Sequence, residues 1–139
     1  MAALPPEVRE LFEGANFAHL ATLMPDGSPH SVAVWAGLEG DNVVFFTQEG
    51  SLKARNLARD PRVAISITDH DDPYQTAQLR GRVVEVRGAE EGNALADQLA
   101  LRYTGEPFPF QPPTSRLYVV EVDKVRSTQL SFEHRPSAA

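Results

Sequence analysis

Polar and hydrophobic residues alternate along most of the chain, and this period of two predicts a protein built mainly from β-strands. Seven stretches carry the alternating or nearly continuous apolar pattern of strands: 17–23, 29–38, 43–47, 62–68, 76–87, 116–122 and 125–130. Helical signals mark three others: an N-terminal stretch that Gly14 stops, a stretch that Ser51 opens and Pro61 ends, and residues 90–103. Tight turns join the first three strands, which predicts an antiparallel meander.

Few of these elements follow the strand–helix–strand order of parallel sheets, so the pattern predicts a closed antiparallel barrel with peripheral helices. Gly81 lies inside the long strand at 76–87, where a glycine indicates a bulge or the close approach of another backbone. No internal repeat or low-complexity stretch divides the sequence. Residues 1–139 are therefore expected to form a single domain.

The composition narrows the classes of function. The net charge of −6 is opposite in sign to that of most nucleic-acid binders, so we expect no nucleic-acid partner. No apolar run approaches the ~20 residues of a membrane helix, and the N-terminus lacks a signal pattern, so we expect a soluble cytoplasmic protein. The chain has no cysteine and its four histidines are scattered, so no metal site is predicted.

The segment 46–57, where the third strand leads into the second helix, carries the strongest chemical signal. The first turn of a helix presents unpaired backbone N–H groups and the positive end of the helix dipole, which favours a bound anion. Ser51 is the expected cap, Lys53 adds a positive charge, and Asn56 follows Lys53 on the same face. These residues predict an anion site, and a solvated amphipathic helix with a serine cap is the alternative.

Several short motifs occur in an order found in one known family. They are Ala21-Thr22-Leu23, Pro25-Asp26-Gly27, Pro29, Phe45-Phe46-Thr47, Gly50-Ser51, Lys53-Ala54-Arg55, Asp60-Pro61-Arg62-Val63, Leu79-Arg80-Gly81-Arg82-Val83 and Tyr118-Val119-Val120-Glu121-Val122. With them the chain resembles the pyridoxamine 5′-phosphate oxidase-like superfamily and, within it, the flavin/deazaflavin oxidoreductases that use coenzyme F420. The resemblance implies a split β-barrel of the FMN-binding type that works as a homodimer, with the cofactor in a groove between the subunits.

One departure from the family pattern bears on the cofactor. Pyridoxamine-phosphate oxidases hold the FMN phosphate with an Arg and a Lys on the second strand and an Arg-Lys pair at the helix start. Here the strand reads His30-Ser31-Val32-Ala33-Val34-Trp35 and the helix starts with Leu52-Lys53. Charge-assisted hydrogen bonds are worth about 1.5–3 kcal/mol each, so the missing cations disfavour tight FMN binding. F420, with a phosphodiester and a glutamate tail, tolerates a sparser basic groove.

The resemblance implies an oxidoreductase that transfers a hydride from reduced F420 to a small electron-poor organic substrate. In it, Thr47, Ser51, Lys53 and Asn56 would hold the phosphate region, and Leu52 would also bind the cofactor. His30, Val32 and Ala33 would line the edge of the ring, and Gln78 and Arg80 would reach the partner's cofactor. No catalytic residue is predicted, because the cofactor carries the hydride chemistry. The alternatives are an FMN-binding oxidoreductase of the same fold and a non-catalytic carrier of F420 or a tetrapyrrole-like ligand.

Overall fold

Seven strands and three helices make up the fold in the computed structural model, which describes residues 2–138. The helices are α1 (Pro6–Glu13), α2 (Leu52–Arg59) and α3 (Ala89–Thr104). The strands are β1 (Ala18–Leu23), β2 (Pro29–Val34), β3 (Gly37–Glu39), β4 (Asn42–Gln48), β5 (Arg62–Thr68), β6 (Gln75–Arg87) and β7 (Ser115–Gln129). The expectation of a mainly β, antiparallel protein with three helices is confirmed. No helix of the described residues is long and apolar enough to cross a membrane.

All seven strands belong to one antiparallel sheet with the order β2-β1-β5-β6-β7-β4-β3. Within residues 2–138 the two edge strands, β2 and β3, do not pair with each other. The sheet is therefore open, and the expectation of a closed barrel is wrong. The two edge strands are consecutive in the sequence, so the chain leaves one edge of the sheet and joins the other.

The stretch 29–38, expected as one strand, is broken at Trp35 and Ala36. The hairpins β1–β2 and β3–β4 consequently lie at opposite edges of the sheet, and the expected three-stranded meander is wrong. Side chains of α3 replace a strand neighbour at the break. The Ala36 N–H donates to the Tyr103 hydroxyl (3.4 Å), and the Arg102 guanidinium donates to the Ala36 carbonyl (3.5 Å). The backbone polar groups of Ala36, a buried residue, are thereby satisfied without a ladder.

The ribbon formed by β6 and β7 is the longest pairing in the sheet, and β7 is one continuous strand where two were expected. A register shift after Arg80 leaves Asp123 as an extra residue on β7, which confirms the expected bulge at Gly81. A Cβ atom at Gly81 would lie 2.1 Å from the Glu121 carbonyl oxygen. Only glycine fits this close approach of the two backbones.

Two apolar clusters hold the fold together. The larger one joins the buried face of α1 to the inward side chains of the sheet, with Phe12, Leu20, Phe45 and Ile67 at its centre. The smaller one packs α3, through Leu95 and Leu99, against β4 and β7. Helix α2 contributes Ala54 and Leu57 to the larger cluster, and it packs against β1.

Candidate functional site

The start of α2 has the geometry that the sequence indicates. Ser51 is the N-cap, and its hydroxyl oxygen accepts a hydrogen bond from the Ala54 N–H at 3.3 Å. The same hydroxyl lies 3.0 Å from the Thr47 hydroxyl at the end of β4. Gly50, with φ of +87°, makes the turn between strand and helix. The cap and the turn hold the first turn of α2 in place, with Leu52 half-buried at its first position.

Lys53 is half-buried in this first turn, and it has no hydrogen bond or ion pair with any described residue. Burial lowers the pKa of its ammonium group below the usual 10.5, and no carboxylate offsets the effect. A desolvated cation without a partner is unfavourable in the ligand-free protein. An anion bound beside Lys53 would relieve this cost.

An aromatic cavity of about 280 Å³ lies beside Lys53, and its walls come from distant parts of the chain. We use this name for the space lined by Phe17, Ala33, Val34, Trp35, Phe46, Lys53 and Phe108. Trp35 stacks on Tyr103 at 5.2 Å between ring centroids, with 17° between the planes. Its edge contacts Phe46 and Phe108, each with a centroid distance of 6.3 Å. The cavity therefore combines flat apolar walls with one cation, which suits a flat ring system attached to an anionic group.

Asn56 has a different environment from Lys53, although both are on α2. It is 1% exposed, and its Nδ2 donates to the Thr22 hydroxyl at 3.0 Å. Its Oδ1 accepts from the Arg59 guanidinium at 2.9 Å. Arg59 also donates to the Leu23 carbonyl at 2.7 Å, so this network ties α2 to β1. The assignment of Asn56 to the phosphate region stays a prediction, and its observed bonds position the helix.

The three residues predicted on β2 divide between its two faces. His30 and Val32 are half-buried, and the Nδ1 atom of His30 is buried without a hydrogen-bond partner among residues 2–138. Ala33 is exposed on the other face and lines the aromatic cavity. His30 thus holds a polar atom that lacks a partner, while Ala33 contacts the same space as Lys53.

Gln78 and Arg80, predicted to reach a partner's cofactor, lie in a second depression of about 650 Å³. We call it the trough; its polar lining residues are His19, Ser31, Ser66, Gln78, Arg80, Lys124 and Arg126. Ala33 of the aromatic cavity is the register partner of His19 in the trough, so the two depressions adjoin at the edge of the sheet. Within one chain, the predicted site residues are therefore split between two neighbouring depressions.

Several lining residues are absent from the predicted set. Phe17, Phe46 and Phe108 approach Trp35 only after the chain folds, and their spacing in the sequence gives no signal. Lys124 and Arg126 do carry a signal, because they occupy alternate positions on one strand. Their pairing with Arg80 and Gln78 depends on the long-range register of β6 with β7.

Comparisons with known proteins agree with this fold. The sequence model of the family described as "Pyridoxamine 5'-phosphate oxidase" matches residues 4–129. A solved structure named "F420 Reductase" is 30% identical, with a TM-score of 0.79, covering 88% of this chain and 98% of that one. The conserved hypothetical protein Rv2991 from Mycobacterium tuberculosis is 23% identical, with a TM-score of 0.78, covering 100% of this chain and 94% of that one.

A curated relative is also similar over part of the chain. It is the "Pyridoxine/pyridoxamine 5'-phosphate oxidase" of Kineococcus radiotolerans, 37% identical over 75 residues. The matched stretch covers 54% of this chain and 33% of the relative, so it spans only a third of that protein's length.

Proposed function

Because the chain belongs to the pyridoxamine 5′-phosphate oxidase family, we propose that it is an oxidoreductase that uses reduced coenzyme F420 to reduce a small electron-poor organic molecule. Two observations favour F420 over FMN. Among residues 2–138, Lys53 is the one cation that lines the aromatic cavity. The solved "F420 Reductase", 30% identical, has nearly the same length and fold.

Lys53 carries the proposal. Its ammonium group is half-buried, has no partner among the described residues, and faces the aromatic cavity beside the start of α2. One cation matches the single charge of a phosphodiester better than the double charge of a terminal phosphate, because each unmet charge loses a charge-assisted hydrogen bond. FMN carries a terminal phosphate and F420 a phosphodiester, so the observed site fits F420.

Each group of residues has a separate task in this proposal. The first turn of α2, held by Ser51 and Thr47, and the Lys53 ammonium bind the phosphodiester. Trp35, Phe46 and Phe108 stack against flat rings and exclude water from them. When bound, the reduced deazaflavin supplies the hydride. The protein contributes orientation and a dry cavity, and the proposal requires no dedicated side-chain acid or base.

We propose that the working unit is a homodimer in the cytoplasm. Lys53 and Arg80 line two depressions that adjoin at the edge of the sheet, and we expect Arg80 of one subunit to reach the cofactor that Lys53 of the other subunit holds. Twofold dimers are the commonest assemblies, and they also cover exposed edge strands such as β2. Light scattering at micromolar concentration is expected to give about twice 15.3 kDa, and a monomer would contradict the shared site.

Spectroscopic titration with F420 and FMN side by side tests the cofactor. We expect F420 to bind more tightly, and Lys53→Ala to weaken F420 binding roughly tenfold to a hundredfold. Arg55→Ala is the matched control, because Arg55 is an exposed cation on the same helix that does not line the aromatic cavity. Tighter binding of FMN, or equal effects of the two variants, would contradict the proposal.

Measuring the oxidation of reduced F420 by an acceptor distinguishes an enzyme from a non-catalytic carrier of F420. Reduced F420 mixed with the protein and an electron-poor quinone or nitroaromatic compound is expected to lose its reduced spectrum faster than without the protein. Binding of F420 with no acceleration for any such acceptor would favour the carrier.

A further inference from the structure

Helix α3 supports the aromatic cavity without lining it. Among residues 2–138, none of the residues that line the cavity comes from α3. Tyr103, near the end of the helix, stacks on Trp35 at 5.2 Å between ring centroids and accepts a hydrogen bond from the Ala36 N–H. Leu95 and Leu99 pack the helix against β4 and β7. The helix therefore fixes one wall of the cavity, Trp35, from outside.

A second wall, Phe108, belongs to the segment that follows α3. This segment, residues 105–114, connects α3 to β7 and contains four prolines, and we call it the proline loop. Phe108 is half-buried, and its ring lies 5.5 Å from that of Phe46 and 6.3 Å from that of Trp35, between centroids. Phe46 is held in the ladder of β4 with β7, but the proline loop forms no helix or strand. Contacts from outside the loop must therefore hold Phe108 in place.

Polar side chains of α3 supply these contacts. The Asp97 carboxylate accepts a hydrogen bond from the Phe108 N–H at 3.1 Å. Both of its oxygens also accept from the Gln111 side-chain amide, each at 3.3 Å. Asn93 donates to the Pro112 carbonyl at 3.2 Å. Asn93 and Asp97 are four residues apart and share one face of α3, so this face ties the proline loop down at three of its residues.

The Asp97 carboxylate is committed to the proline loop. In the described chain its side chain has no other hydrogen bond and no ion pair. Hydrogen bonds to an ionised acceptor are stronger than those between neutral groups. Without the carboxylate, the part-buried Phe108 N–H would lack an acceptor, which is unfavourable. The loop would then have to move until this N–H reached water.

We propose that Asp97 is a positioning residue for the aromatic cavity: its carboxylate holds Phe108 against Trp35 and Phe46, and Phe108 closes one side of the cavity around a bound ring. Asp97 does not line the cavity, so it acts on a ligand through Phe108. Phe108 lies between Pro107 and Pro109, which restrict the backbone on both sides, so a displaced loop carries the phenylalanine with it. The identity of the ring as a deazaflavin rests on the proposed function, whereas the effect of Asp97 on Phe108 does not.

Fluorescence of Trp35 tests the proposal in the ligand-free protein, because Trp35 is the single tryptophan of the chain and contacts Phe108. Asp97→Ala is expected to shift the emission to longer wavelength and to strengthen quenching by acrylamide, since more of the indole ring meets water. Asp97→Asn keeps an oxygen that accepts from the Phe108 N–H, so it is expected to stay close to the wild type. Gln98→Ala is the control, because Gln98 is the next residue of α3, is exposed and has no side-chain hydrogen bond in the described chain.

A double-mutant cycle separates positioning from a general contribution to stability. Phe108→Ala is expected to raise the quenching as Asp97→Ala does. Adding Asp97→Ala to Phe108→Ala is expected to change the quenching little further, because both substitutions act on the same contact. Urea unfolding shows that each variant is folded. If Asp97 only stabilised the fold, Asp97→Ala would lower the urea midpoint and leave the quenching of the folded protein unchanged, and the proposal would be wrong.

Titration with F420 extends the test to the occupied cavity. Asp97→Ala and Phe108→Ala are each expected to weaken F420 binding about threefold to tenfold, which is the worth of one aromatic contact. The double variant is expected to bind F420 no more weakly than Phe108→Ala alone. If the wild type binds no F420, the proposed function fails, but the quenching of Trp35 still decides the role of Asp97.

Two further results would overturn the proposal. Quenching of Asp97→Asn as strong as that of Asp97→Ala would mean that an acceptor oxygen is not what holds the loop. Fully additive effects of Asp97→Ala and Phe108→Ala would mean that Asp97 acts on Trp35 by another route. Gln111→Ala keeps the test decisive if Asp97→Ala fails to fold, because it removes the side-chain bonds to Asp97 and leaves the bond from the Phe108 N–H. We expect Gln111→Ala to raise the quenching less than Phe108→Ala does, and no increase at all would contradict the proposal.

Discussion

The β6–β7 ribbon has two halves that differ in how their positive charges are balanced. Beyond the bulge at Gly81, Arg82 and Arg87 are surrounded by carboxylates. Before the bulge, Arg80 faces Lys124 across the ladder with no acidic partner among the described residues. The same two strands thus carry a neutralised structural surface and an uncompensated one, separated by a single glycine.

The pKa values show a related contrast, between the neutralised half of the ribbon and Lys53 on α2. In the neutralised half, hydrogen bonds from Arg87 hold the pKa of Glu39 and Glu85 below the usual 4.5. Hydrogen bonds and charge from Asp123, with charge from Glu121, raise the pKa of Arg82 above its ordinary value. In the first turn of α2, beside the aromatic cavity, burial alone lowers the pKa of Lys53. Cations without a carboxylate partner among the described residues line the two depressions where we expect a ligand. Arg82 and Arg87, by contrast, are paired with carboxylates.

Replacing Gly81 by alanine is expected to have the largest effect, because it disrupts the junction of the two halves. The new Cβ would lie 2.1 Å from the Glu121 carbonyl oxygen, and a backbone atom cannot move aside like the end of a flexible side chain. Forced displacements of this kind cost about 1–3 kcal/mol, and sometimes more. Urea unfolding of Gly81→Ala is expected to show that loss of unfolding free energy.

Val84→Thr is the control for Gly81→Ala on the same strand. Val84 is 47% exposed, so this change of similar shape is expected to alter stability by no more than about 0.5 kcal/mol. Equal stability of Gly81→Ala and wild type would mean that the ribbon tolerates a different register.

The pH dependence of F420 binding tests the proposed role of Lys53, the cation without a partner in the aromatic cavity. A bound anion favours the charged lysine, and the free protein loses that proton at a pH below 10.5. Affinity is therefore expected to be highest well below the lowered pKa and to fall as the pH rises through it, with a total loss of about tenfold or more.

Lys53→Arg is the comparison for this pH profile, because a guanidinium stays charged throughout the range. The ratio of wild-type to Lys53→Arg affinity also removes the titration of the cofactor itself. In the part of the chain that the structure describes, no other titratable side chain lines the aromatic cavity, so the ratio reports on Lys53. A ratio that stays constant up to pH 10.5 would place Lys53 away from the bound anion.

Two local features, at the start of α2 and in the β6–β7 ribbon, could be predicted from the sequence. The serine cap at Ser51 and the bulge at Gly81 depend on the conformational preferences of single residues, and both predictions are confirmed. The break at Trp35 and Ala36 could not be predicted, because the alternation of apolar residues continues through it. At the break, the Ala36 N–H donates to the hydroxyl of Tyr103, a residue on α3 that is distant in the sequence.

The other features that the sequence did not predict depend on the long-range register of the strands. Asp123 and Lys124 look like a turn between two strands, yet they form a bulge in one continuous strand because β6 pairs along both sides of them. The trough likewise requires the match of Arg80 with Lys124, which no local pattern encodes. For the same reason, the predicted role of Lys53 followed from its helix, whereas the aromatic walls beside it did not.

Replacing Arg87 tests how much the ion pairs of the neutralised half contribute to stability as the pH is lowered. Because the folded-state pKa values of Glu39 and Glu85 are lowered, their pairing stabilises the protein above pH 4.5 and is lost as the pH falls through the lowered values. Arg87→Gln is therefore expected to be less stable than wild type near pH 7, and the difference is expected to shrink as the pH falls below 4.5 and through the lowered pKa values. Thermal or urea unfolding across this range measures it. A difference that persists in full at low pH would mean that Arg87 acts by packing.

The smallest expected effect is the change in stability when arginine is replaced by glutamine at position 82 or at position 80. Opposite signs of the two changes would be the most direct test of the difference between the two halves of the ribbon. Arg82→Gln removes ion pairs with Glu121 and Asp123, so the urea midpoint is expected to fall slightly. Arg80→Gln removes repulsion from Lys124, so at low salt the midpoint is expected to stay or rise slightly. Both shifts should disappear near 1 M salt, where the screening length is about 3 Å. A fall for Arg80→Gln as large as that for Arg82→Gln would show that Arg80 already has an anionic partner in the assembled protein, and the two halves of the ribbon would then be electrostatically alike.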